Sequence, residues 1–140
     1  MTIEETQNGI IREFCSLHDW LDRYEYLVNL GRELEPLDHQ YKTEENALPG
    51  CQSKVWIHAR KEDNRIIFGA DSDSEILKGI LALLIQVLSN HSSSDVATAD
   101  LYFLKEIGLD SSLSPSRANG LGTIVKYMQE LAGSDERFRD

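Results

Sequence analysis

A chain of 140 residues, 41% of them apolar, with a formal net charge of −10, has material for one core and one domain. It contains no apolar run long enough to cross a bilayer as a helix, and the acidic, polar stretch Met1 to Gln7 does not read as a secretion signal. These features lead us to expect a cytoplasmic location, and the negative charge repels phosphate backbones and anionic lipid, so neither nucleic acid nor membrane is an expected partner.

Thr2-x-x-Glu5 is a capping-box pattern ahead of Ile10, Ile11, Phe14 and Leu17, which share one helical face. A second helix follows, with Asp19 as its cap and a stripe of Trp20, Tyr24, Leu27, Gly31 and Leu34, and Pro36 stops it. Asp38 to Asn46 is polar and aperiodic, the pattern of an exposed connector. Leu48-Pro49-Gly50 leads into Cys51, after which Val55, Ile57 and Ala59 alternate with Lys54, Trp56, His58 and Arg60 as a half-buried strand. Glu62-Asp63-Asn64 makes a turn, and Arg65 to Phe68 returns as the second arm of a hairpin. Ser72-x-x-Glu75 reads as another capping box, opening a helix from Ser74 to Ser89 whose centre is apolar all round apart from Gly79, the mark of a buried helix. Ser92 to Asp95 caps a short turn, Leu101 to Ile107 forms a short helix ended by Gly108, and Ser114-Pro115 opens a last helix running to Leu131. Its inner face carries Leu121, Ile124, Val125 and Met128. Residues 1–132 thus form one domain of α+β class, and 133–140 a charged, frayed tail.

Two cysteines are too few for a disulfide scaffold, and neither has a second metal ligand nearby. The histidines, His18, His39, His58 and His91, are scattered singly, so no metal site is expected. Cys15 adjoins Phe14 on an apolar helical face and reads as a core thiol. Cys51 follows Pro49-Gly50 at the entrance to a strand, where a rigid scaffold presents reactive groups and glycine permits close approach. An inert, partly buried thiol fits that position as well.

The stretch Leu48-Pro49-Gly50-Cys51-Gln52-Ser53-Lys54-Val55-Trp56 resembles the active-cysteine signature of the SufE family, the sulfur acceptors that stimulate SufS-type cysteine desulfurases in iron–sulfur cluster assembly. Asp71-Ser72-Asp73 with Ile76 and Lys78-Gly79 is similar to a second family segment, and Ser114-Pro115-Ser116-Arg117-Ala118-Asn119-Gly120-Leu121 to a third. Tyr24, Leu27 and Leu30-Gly31 fit the family's second helix. The likeness spans roughly Asp19 to Leu131 in the right order, and three ordered motifs make it specific.

The resemblance implies a small curved antiparallel sheet of about three strands packed against several helices, of the kind shared with IscU-type scaffolds. One short strand would then lie near Asn46 to Leu48, which periodicity does not reveal. It implies that Cys51 accepts the sulfur, with Asp73 and Arg117 beside it. Physics gives each a task. A thiolate attacks the outer sulfur of a persulfide; the Arg117 guanidinium would favour thiolate and persulfide anion; Asp73 would cap the next helix, anchor Arg117 or hold the Cys51 loop. The implied partners are a SufS-type desulfurase and a downstream iron–sulfur assembly scaffold. No cofactor is expected on this chain, because pyridoxal phosphate belongs to the desulfurase. The first 48 residues carry 11 acidic and 4 basic side chains and the rest 13 and 10, nets of −7 and −3, so the N-terminal half can steer toward a basic patch on a partner.

Three other readings compete. An iron–sulfur scaffold needs about three cysteine ligands and this chain has two. A thiol hydrolase needs a histidine base near Cys51, for which His58 stands far along the strand on a solvent-facing side and His39 lies in the connector. A non-catalytic adaptor would use no chemistry at all. The sulfur acceptor would itself be an activator and carrier without independent turnover.

Overall fold

The computed structural model describes residues 1–48, 53–109, 113 and 115–133, and of 115–119 the backbone alone. Helix α1 (Ile3–Cys15) starts at the expected reciprocal box: Thr2 accepts from the Glu5 amide, and the Glu5 carboxylate from the Thr2 amide. Helix α2 (Trp20–Glu33) is capped by Asp19, whose carboxylate accepts from the Asp22 amide at 2.9 Å. A 3-10 turn at His39–Tyr41 follows.

Strands β1 (Val55–Glu62) and β2 (Arg65–Ser72) pair antiparallel from Val55↔Ser72 to Glu62↔Arg65. Asp63 and Asn64 between them both have positive φ, as a two-residue hairpin turn that matches the strand twist requires. The return strand thus runs to Ser72 and not to Phe68, because Ala70 extends the inward alternation of Ile66 and Phe68 while β1 supplies partners throughout.

Helix α3 (Glu75–Leu88) is capped by Ser74, which accepts from the Leu77 amide. Ser72 is not the expected capping-box residue; it ends β2 and turns its hydroxyl to Lys54. Nine α3 residues are buried, Leu81 and Leu84 completely. The helix packs on α2, α1 and β2, as its apolar circumference predicts.

Beyond α3, Asn90 takes a positive φ and the chain returns as β3 (His91–Ser92), pairing with Ile66 and Arg65. Ser92 then caps α4 (Ser93–Thr98). The sheet order is β1-β2-β3, so the third strand lies after the long helix. The pairing sought before Cys51 exists as one bridge, Ala47↔Trp56. Two residues are too few for period-2 patterning to reveal β3.

Helix α5 (Phe103–Glu106) is tied to α1 by Gln7, whose side chain donates to the Asp100 carbonyl and accepts from the Phe103 amide. Helix α6 (Pro115–Gly133) buries Leu121, Ile124, Met128 and Leu131 and packs on α4, with Gln129 donating to the Val96 and Ala99 carbonyls. The expected cap Ser114 and all but Gly133 of the expected tail lie outside the described residues. No described helix is long and apolar enough to cross a membrane. The class is α+β, a three-stranded antiparallel sheet with six helices among the described residues.

Cys15 departs from expectation: it is exposed. It is the last residue of α1, rotated about 100° from Phe14. Phe14 fills the core and meets Tyr26 edge-on at 5.2 Å, which leaves Cys15 facing water.

Candidate functional site

Alternation along the hairpin sends Val55, Ile57, Ile66, Phe68 and Ala70 into the core and Trp56, His58, Ile67, Gly69 and Asp71 to the other face. That second face is not open. The connector after α2 lies across it as a strap. Leu37 sits over Gly69, where a side-chain Cβ would stand 3.1 Å from it. Tyr41 stacks on His58 at 3.8 Å between ring centres. The Lys42 ammonium lies 5.5 Å from the centre of the Trp56 ring. His58 is therefore half-covered and not simply solvent-facing. Burial and the charge of Arg60 push its imidazole below the ordinary range, and its ring face is occupied by Tyr41.

Asp71 is a residue whose part in the site sequence reasoning missed. It is 7% exposed, yet ionic. Lys42 reaches one carboxylate oxygen at 2.9 Å and Lys78 the other at 3.5 Å, while the Ser72 amide donates to it at 2.8 Å. Burial pushes the carboxyl up, but the hydrogen bonds from Lys42 and Ser72 and the two lysine charges prevail and hold it below the usual aspartate range.

The next two residues grip the chain that carries the candidate cysteine. Ser72 Oγ donates to the Lys54 carbonyl at 2.7 Å and accepts from the Ser74 amide. Asp73 is exposed; its carboxylate accepts from the Lys54 amide at 2.9 Å and its own amide donates to the Lys54 carbonyl at 3.2 Å. Asp73 is thus a clamp on Lys54, and the helix cap expected of it is supplied by Ser74. On the incoming side, the Leu48 amide donates to the Val55 carbonyl at 3.0 Å and the Ile57 amide to the Asn46 carbonyl at 2.9 Å. Cys51 and the Arg117 side chain lie outside the described residues. What surrounds the Cys51 segment is a closed base: Leu48 pinned to Val55 before it, and Lys54 pinned to Asp73 and Ser72 after it. Within this base the Lys42 and Lys78 ammonium groups face the Asp71 carboxylate. Among the described residues no group of three or more metal-ligating side chains converges.

A solution structure of a hypothetical protein from Thermus thermophilus shares the fold, with a TM-score of 0.75 over 91% of this chain and 93% of that one at 21% identity. The family description "Fe-S metabolism associated domain", SufE, matches residues 8–132. A chloroplastic/mitochondrial SufE-like protein 1 of Arabidopsis thaliana is 41% identical over 124 residues, which cover 88% of this chain and 33% of that longer protein. An uncharacterized SufE-like protein of Synechocystis is 39% identical over 123 residues, 88% of this chain and 77% of its own length. The "Cysteine desulfuration protein SufE" of Wigglesworthia glossinidia brevipalpis is 34% identical over 127 residues, 89% and 88% of the two chains. With the matched region running from α1 through the Cys51 segment and the clamp at Asp73 to the end of α6, this chain belongs to the SufE family.

Proposed function

We propose that this protein takes a sulfur atom from a cysteine desulfurase as a persulfide on Cys51 and relays it to iron–sulfur cluster assembly in the cytoplasm. In the transfer step the Cys51 thiolate attacks the outer sulfur of the donor's cysteine persulfide. The bond between the donor's two sulfurs breaks, the donor's cysteine leaves as thiolate, and a persulfide remains on Cys51. Electrons balance without an oxidant. The later step repeats this chemistry with Cys51 as donor.

The observation that carries this reading is the closed base. Leu48 is pinned to Val55 and Lys54 to Asp73 and Ser72 in a member of the SufE family, so the chain is tied to a rigid scaffold three residues to either side of Cys51, the setting in which reactive groups are presented. Asp73 supports it by clamping Lys54, three residues after Cys51. Arg117 is assigned the stabilisation of thiolate and persulfide anion, a role that needs a permanent cation. The chain acts as carrier and activator, with no small-molecule turnover of its own, and residues 1–132 form the working unit.

The test is mass spectrometry after incubation with a pyridoxal-phosphate-loaded cysteine desulfurase and cysteine. One added sulfur is expected on the Cys51 peptide and none on the Cys15 peptide. Cys51→Ser should abolish stimulation of the desulfurase, and undiminished stimulation by that variant would leave only an adaptor role.

A further inference from the structure

Two lysines from distant parts of the chain, Lys42 in the strap and Lys78 in α3, converge on Asp71. A buried carboxylate held by two partly exposed lysines is a poor device for stability, since well-packed apolar side chains serve as well or better. Its directional value is greater. Each carboxylate oxygen meets a different lysine, and Oδ1 also accepts from the Ser72 amide, so the side chain is fixed from three sides.

Those contacts bear on both ends of the Cys51 segment. Lys42 holds the strap that leads into Leu48 and lies over Trp56, the residue paired with Asp71 across the hairpin. Ser72 and Asp73, the next two residues, hold Lys54 by both its carbonyl and its amide. One carboxylate therefore links the incoming and outgoing chain.

We propose that Asp71 is a positioning residue for Cys51, acting through Lys42 on the approach to the Cys51 segment and through Ser72 and Asp73 on its exit. The inference rests on the reading of Cys51 as the sulfur acceptor, and its first two readouts need no desulfurase. Asp71→Asn keeps the size of the side chain and removes its charge. Lys42→Met leaves Lys78 on Asp71 and is the milder variant should Asp71→Asn fail to fold. Native-state alkylation by iodoacetamide is followed at both thiols, with exposed Cys15 as internal reference, together with amide exchange at Lys54.

In Asp71→Asn, Lys54 exchange should quicken about tenfold and Cys51 alkylation should change roughly fivefold, with Cys15 unchanged. Lys42→Met should shift the same two readouts by less, and Asp71→Glu should restore part of the wild-type behaviour. A folded Asp71→Asn protein with Cys51 and Lys54 rates unchanged would overturn the proposal. So would a rise shared equally by amides throughout the core, which is the signature of simple destabilisation. Sulfur loading separates the two claims: wild-type protein that takes no sulfur refutes the relay and leaves the positioning readouts intact, whereas equal loading of wild type and Asp71→Asn refutes positioning alone.

Discussion

Replacing Gly79 by alanine should destabilise this protein strongly. A Cβ built there stands 2.0 Å from the Leu27 carbonyl oxygen and 2.6 Å from its carbon, both backbone atoms of α2. On the facing helix, a Cβ at Gly31 would stand 2.8 Å from the Gly79 amide nitrogen. Ordinary contact needs about 3.5 Å, so α2 and α3 would have to separate by more than ~1 Å, and gaps of that size forfeit about half of the dispersion energy across an interface. Leu27 and the buried face of α3 form the centre of the core, so a loss of roughly 4 kcal/mol is expected, against a gain of about 1 kcal/mol in helix propensity. The net, about 3 kcal/mol, corresponds to a fall in Tm of roughly 10 °C for a chain of this size. Gly122 in α6 is the control: its Cβ meets nothing within 4 Å, so Gly122→Ala should stabilise by about 0.5–1 kcal/mol. Urea denaturation monitored by circular dichroism measures both. A Gly79→Ala protein within about 1 kcal/mol of wild type would refute the close-crossing account. The crossing also bears on the site, because Lys78, the neighbour of Gly79, is seated by it beside Asp71.

Asp73→Ala should speed exchange of the Lys54 amide while costing only about 1 kcal/mol of global stability, and Asp73→Asn, which keeps an acceptor oxygen, should preserve most of the protection; nuclear magnetic resonance exchange at Lys54 decides. Spectrophotometric titration should show a late tyrosine step, because burial and the hydrogen bond to Glu13 push Tyr26 up to about 12. Tyr26→Phe should remove that late step, and its persistence would assign it elsewhere. Burial pushes both His58 and His91 below their ordinary range, where the Arg60 charge acts on His58 in the same direction and Asp95 opposes it at His91. Their folded-state values are depressed, so the stability they contribute is present above about pH 6.5 and is lost as pH falls through the lowered values. Denaturation midpoints of wild type and a His58→Gln/His91→Gln double variant should therefore diverge below about pH 6.5, wild type losing more; parallel curves would contradict the assignment.

The elements with local signals were legible. Thr2 and Glu5, and Asp19, cap helices where the residue types demand it, Ser92 caps helix α4 where a short turn was expected, and an apolar circumference marks α3 as the buried helix. The hairpin follows from alternation and a polar turn. Features made by contacts distant in sequence were not legible. Asp71 falls on the strand face opposite Ile66, Phe68 and Ala70, and that face reads as solvated unless something covers it. The strap that does so has no periodicity, because it is held by side chains reaching across: Leu37 over Gly69, Tyr41 on His58, Lys42 on Asp71 and Trp56. A glycine and a tryptophan on one nominally exposed face were the available hint that another segment packs there. Cys15 was misjudged for the opposite reason: its neighbour Phe14 is apolar and buried, but adjacent helical residues do not share a face.

Asp71, Ser72 and Asp73 show why the likeness in this segment is about architecture as much as chemistry. Three consecutive polar residues at a strand end would ordinarily dissolve into a turn, each side chain bonding locally to its own backbone. Here they keep two local bonds, from the Ser72 amide to Asp71 and the Ser74 amide to Ser72, and reach other segments besides: Asp71 the strap and α3, Ser72 the Lys54 carbonyl, Asp73 the Lys54 amide. A sulfur carrier of the proposed kind needs this division. Packing its thiol into the core would bar a partner's persulfide, and leaving its chain untethered would add ordering entropy to every encounter. On the proposed relay, fixing the backbone at Leu48 and Lys54 lowers the entropic part of that cost. The same reasoning ranks the three residues: Asp73 and Ser72 act on Lys54, whereas Asp71 bears on the strap through Lys42, on α3 through Lys78 and on Ser72, so under the proposed relay its removal should have the widest effect on transfer.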